Sequence, residues 1–172
     1  MSKSLPVLLL DTSSSMASPE GVKRRIDLAA DVLQTVLAAT PRVRVVTFGV
    51  TVAEQIGLEP GPNLKLSEPV GGTPLDLALS FIPQRGWRPD RIIIISDGRP
   101  DDTGQALAAA RALAPVTIDA LFVGDDADKA AIGFMRVLAL AGGRCGVSGL
   151  RSLANPQKLA AEIVLRLSGP AR

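Results

Sequence analysis

Histidine is absent from these 172 residues, and cysteine occurs once, at Cys145. An intramolecular disulfide, a Cys/His zinc site and a Ser-His-Asp triad are therefore excluded within the chain. Long apolar runs are missing too. The runs at residues 5–10 and 92–95, like every other in the chain, fall far short of the roughly 20 residues a membrane-spanning helix needs. Asp11 interrupts the first before any small-residue cleavage site, so it does not read as a signal peptide. Charge of one sign is nowhere concentrated: 19 Lys and Arg stand scattered against 17 Asp and Glu, a formal net charge of +2. A sequence pI near 9.0 then carries no nucleic-acid footprint. The expectation is a cytoplasmic protein whose partners are neither nucleic acid nor membrane.

What is present is enough for a packed core: 47% of residues are hydrophobic and 21% charged. Nothing marks a second domain, so the chain reads as one domain over 1–172, with an ordered core over about 5–168. Continuous β-branched runs at 5–10, 43–48, 92–96, 116–123 and, more weakly, 145–147 have the pattern of strands buried on both faces. Between them lie helical spacings: Ile26, Ala29, Ala30, Leu33, Val36 and Leu37; then Leu75, Leu79 and Ile82; then Leu107, Ala110 and Leu113. Two more helices are expected over 128–141 and 156–167, the second capped by Asn155. Residues 52–58 follow the second strand too soon for a crossover helix and read as an antiparallel edge strand. Together these predict an α/β fold: a doubly wound, mostly parallel six-stranded sheet with one antiparallel edge strand and helices on both faces.

In such sheets ligands bind outside the carboxyl ends of the strands. DTSSSM, at 11–16, begins at one such end, and Asp97 of IIIISDGRP follows another. Thr73 of GGTPL opens a helix with Pro74 in its first turn, after a Pro- and Gly-rich loop over 59–72. Ser13 and Ser15, two residues apart, can direct both hydroxyls to one small cation while Ser14 points elsewhere. Without His or paired Cys, a metal must sit among oxygens, which favours Mg2+, Mn2+ or Ca2+. Asp11 and Asp97 would orient water and hydroxyl ligands around it.

These segments resemble the von Willebrand factor A domains, whose metal-ion-dependent adhesion site (MIDAS) reads D-x-S-x-S, then a distant Thr and a distant Asp. Here those are Asp11, Ser13, Ser15, Thr73 and Asp97. The resemblance covers nearly the whole chain in the order of its elements. It implies Ser13, Ser15 and Thr73 as hydroxyl ligands, Asp11 and Asp97 binding directly or through water, and a partner protein's Asp or Glu completing the octahedron. This is binding, not catalysis. Position 14 is Ser where many members have Gly, and nothing resembles the extra helical switch elements of larger adhesion receptors. The compact start LPVLLLDTSSSM, with GGTPL and SDGRPDD, is similar to bacterial members, including those associated with tellurite resistance. It implies a stress-response or regulatory complex.

Each residue also has a plainer reading. The serines can satisfy backbone groups at a helix start, Asp97-Gly98 can be a turn, and Thr73 can cap a helix while also ligating. Asp101 and Asp102 read as caps of a helix from Thr103, Asp76 as a first-turn charge, and Asp125, Asp126 and Asp128 as a turn. Cys145 reads as a small buried residue, and Trp87 as either a partner anchor or a packed lid. Two rival functions remain. A Mg2+-dependent phosphoryl-transfer hydrolase would use Asp11 as nucleophile, but Ser13 stands where the haloacid-dehalogenase type has its acid/base Asp. A nucleotide-binding domain would need a Walker loop or a GxGxxG after the first strand, and neither occurs.

Overall fold

The apolar runs become the centre of a sheet because neighbours cover them on every side. The computed structural model describes residues 4–61, 64–144, 149–150 and 156–168. Strand β1 (Val7–Asp11) leads through a 3-10 turn (Ser14–Ala17) into a small antiparallel pair, β2 (Pro19–Glu20) and β3 (Lys23–Arg24). Helix α1 (Arg25–Ala39) returns the chain to β4 (Arg44–Phe48), which is hairpinned to β5 (Val52–Glu54). Then follow α2 (Leu75–Gln84), β6 (Arg91–Ser96), α3 (Thr103–Ala112), β7 (Thr117–Phe122), α4 (Lys129–Ala141), β8 (Gly149–Leu150) and α5 (Pro156–Ser168).

The sheet order is β5-β4-β1-β6-β7-β8, parallel except for β5. Because side chains alternate across a strand, the central strands feed two cores. Val7, Leu9, Ile92 and Ile94 pack beneath α2, α3 and α4, while Leu8, Leu10, Ile93 and Ile95 pack beneath α1 and α5. Each such fully buried side chain contributes roughly 1.5–3 kcal/mol of transfer free energy.

Several expectations need correction. Five strands carry the sheet. The sixth position is held only by two-residue β8, which pairs with Leu121 and Phe122. The weaker strand expected over 145–147, with Cys145, lies outside the described residues, as does the cap Asn155. The edge strand expected over 52–58 stops at Glu54: Gln55 makes one last bond to Val45, then Gly57 takes φ +72° and Ile56 is left 82% exposed. A left-handed residue turns the backbone off the ladder. The β2–β3 pair was not foreseen, because two-residue strands leave no periodicity to read. Trp87 is a packed lid: its ring meets Phe81 edge-on at 5.7 Å, and the Arg44 guanidinium stacks 4.2 Å above it. Among the described residues no helix is long and apolar enough to cross a membrane.

Candidate metal centre

Parallel register brings the polar strand ends together. Leu10 pairs with Ile95 on β6 and Asp11 with Phe48 on β4, so β1 and β6 run out of sheet side by side. Asp11 is fully buried there, with both carboxylate oxygens engaged. Ser13 N–H donates to Oδ1 at 2.8 Å, and Ser96 Oγ donates to Oδ2 at 2.6 Å. Burial pushes the Asp11 carboxyl up to about 6; the Ser13 and Ser96 hydrogen bonds oppose the rise, and the neighbouring Asp97 charge adds to it. The turn that Asp11 organises sets the Ser13 and Ser15 hydroxyls 3.1 Å apart. The two side chains that spacing singled out do converge.

Asp97 follows Ser96 off β6 and is nearly buried, its Oδ1 accepting from Arg99 N–H at 3.3 Å. The Arg99 side chain turns away to the next loop, where it meets Asp128 Oδ2 at 2.5 Å. Thr73, also buried, reaches the same rim from the 64–72 loop. Ser14 N–H and Ser14 Oγ both donate to the Gly71 carbonyl, at 3.1 and 3.0 Å, and Val70 N–H donates to the Thr12 carbonyl at 3.1 Å. Asp101 clamps Thr73 from the other side: its Oδ1 accepts from Thr73 N–H at 2.9 Å, and its own N–H donates to the Thr73 carbonyl at 3.0 Å.

Three residues of this arrangement escaped the sequence reading. Ser96, directly before Asp97 at the end of an apolar strand, supports Asp11 and accepts from Gly98 N–H at 3.2 Å. Its signal was a hydroxyl at a strand end next to the one bearing Asp11. Ser14 binds the facing loop rather than standing idle. Asp101 was expected to cap α3, but Asp102 alone does so, accepting from Gln105 N–H at 2.8 Å. The remaining acids behave as expected. Asp76 lies in the first turn of α2, Asp125 Oδ1 accepts from Ala127 N–H in a turn, and Asp128 caps α4 through Ala131 N–H.

Among the described residues, no three His, Cys, Asp or Glu side chains cluster closely enough to hold a metal by themselves. The rim combines neutral hydroxyls with two mutually repelling carboxylates, and that donor set fits a hard cation whose charge would relieve the repulsion. A cleft of about 1000 Å3 lies at the other end of the sheet, bordered by Leu5, Thr40, Arg42 and Trp87. It holds none of these groups.

The profile of the von Willebrand factor type A domain matches residues 7–99, more than half of the chain. The chain belongs to this family. Domains of the family typically mediate protein interactions. Solved structures share the fold of this vWA domain. Manganese-loaded TRAP protein of Plasmodium vivax is 20% identical with a TM-score of 0.66, over 98% of this chain and 73% of that one. The vWF domain of the type V pili tip protein Mfa5 from Porphyromonas gingivalis is 12% identical with a TM-score of 0.63, over 98% of both chains. The pilus adhesin SpaC from Lactobacillus rhamnosus GG is 13% identical with a TM-score of 0.66, over 96% of this chain and 31% of that one. No curated protein matches the sequence.

Proposed function

We infer that this vWA domain is a divalent-metal-dependent protein-interaction module of MIDAS type. The observation that carries the reading is the buried Asp11 carboxylate, pinned at both oxygens, with the Ser13 and Ser15 hydroxyls 3.1 Å apart beside it. Ser13, Ser15 and Thr73 would supply hydroxyl oxygens, and Asp11 and Asp97 would hold water and hydroxyl ligands in place. The ion is Mg2+, with Mn2+ or Ca2+ as substitutes; manganese in the Plasmodium vivax TRAP structure supports a divalent cation. When bound, such an ion supplies a strong attraction for an anionic oxygen, because few of its ligands carry charge. The chain's own residues orient that ion and leave one face for a partner's Asp or Glu.

Calorimetric titration of Mg2+ into the wild type and into Asp11→Ala tests the reading. Binding and a rise in melting temperature are expected for the wild type alone; equal behaviour of the two proteins refutes it. A pull-down with Mg2+ against EDTA then identifies the partner. The hydrolase alternative is disfavoured by Asp11 itself, which is fully buried with both oxygens committed and so cannot readily attack. Mg2+-dependent phosphoester turnover abolished by Asp11→Asn would reverse that ranking. A cytoplasmic stress-response role, such as tellurite resistance, rests on the likeness of GGTPL and SDGRPDD, and neighbouring genes would test it.

A further inference from the structure

The loop that carries Thr73 is threaded between two surfaces of opposite character. Gly71 has φ +84°, and a Cβ there would sit 2.7 Å from Val50 Cγ2. At Gly72 a Cβ would sit 2.6 Å from Asp101 Oδ2. The Gly-Gly pair therefore lets Val50 close against one side of the loop and the Asp101 carboxylate against the other.

On the first side Val50 and Val70 are 67% and 54% exposed, an apolar ledge along the loop that leads to Thr73, with Val50 against Gly71. Val50 follows the end of β4, and Val70 is held to the β1 end through Thr12. On the second side the loops after β6 and β7 present the exposed acids Asp101, Asp102, Asp125 and Asp126. Two cations lie among them: Arg99 is paired with Asp128, and Lys129 Nζ donates to the Asp126 carbonyl at 2.9 Å, so the flank keeps an excess of carboxylates. The rim is thus apolar on one flank of the candidate centre and negative on the other.

We propose that this rim selects its partner in two directions. The recognised segment carries an acidic residue flanked by an apolar side chain, which rests on Val50 and Val70, and on its other side by a basic residue facing the Asp101 flank. The inference deepens the metal-dependent reading above and rests on it. Burial of one or two methylenes between the valines and a leucine side chain corresponds to roughly a tenfold change in affinity. A second acid in the segment would meet like charge on the Asp101 flank and be rejected.

The test uses the full chain, 15N-labelled, with the synthetic peptides GGLEKGG and GGKELGG, one for each chain direction, titrated with Mg2+ or EDTA. Expected is Mg2+-dependent binding of one peptide, lost when its Glu becomes Gln. Replacing Leu by Ser weakens binding about tenfold and replacing Lys by Glu weakens it at least as much. The Val50→Ser/Val70→Ser protein binds the Leu and Ser peptides equally while keeping the Mg2+ and Glu dependence. If Mg2+ and Glu are required but Leu and Ser peptides bind the wild type alike, the ledge is overturned and the metal reading stands. Binding that ignores Mg2+ and Glu, or no binding of either peptide, overturns this proposal. Calorimetry of Mg2+ alone decides the metal reading independently.

Discussion

Asp11 couples the site to pH in opposite senses with and without a cation. Its carboxyl is raised from 3.8 to about 6 in the fold, so the metal-free folded state holds this proton more tightly than the unfolded chain. The associated stability is fully present below about pH 4 and is lost as pH rises through about 6, an amount on the order of 3 kcal/mol. A bound cation would favour the carboxylate, so any stabilisation conferred by Mg2+ should grow over the same interval. Urea unfolding in EDTA and in Mg2+ from pH 4.5 to 8 checks both slopes, and an EDTA curve independent of pH contradicts the argument. The Ser96 hydroxyl bonds Asp11 and Gly98. Ser96→Ala should cost about 1 kcal/mol of stability and reduce the Mg2+-induced rise in melting temperature. Asp11, Ser13 and Ser15 were legible in the sequence because they lie within five positions. Ser96 was not, because its bond spans 85 residues and depends on how β1 and β6 lie side by side.

Elements succeed or fail here at their ends. Gly98 turns the chain from β6 at φ +72°, and a Cβ would come within 2.8 Å of the Ala131 carbonyl in α4. Gly98→Ala should destabilise the fold by roughly 1–3 kcal/mol and shift the Asp97 loop, read as a lower urea midpoint together with weaker Mg2+ binding. The helices were legible because their apolar spacing extends over several turns; α2 begins one residue after Pro74, and α5 begins at Pro156 as expected. The β2–β3 pair and the early end of β5 were not, because they are set by two or three backbone bonds rather than by a repeating pattern. Asp101 shows the same limit: two adjacent aspartates precede α3, and only the fold decides that Asp102 caps it while Asp101 holds Thr73.

At the scale of the molecule, the last helix is tied to the sheet by a buried charge cluster. Asp119 of β7 is 1% exposed and accepts from Arg91 of β6 at 2.5 Å and from Arg166 of α5 at 3.0 Å, and Arg166 also meets Glu162. Asp119→Ala leaves two guanidinium groups largely shielded from water without this carboxylate, and should cost about 3–5 kcal/mol in urea unfolding. Mg2+ affinity should be unchanged, because the candidate metal centre is built by other residues. The sequence by itself determined the α/β class, the sequential order of strands and helices and the polar residues at strand ends, since each of these is written in local spacing. The tertiary structure alone decided which strand ends adjoin, that Ser96 braces Asp11, and that Gly71 and Gly72 pass between Val50 and Asp101. Those contacts join residues tens of positions apart, and their geometry follows from sheet register and close backbone approach, which no run of neighbouring residues encodes.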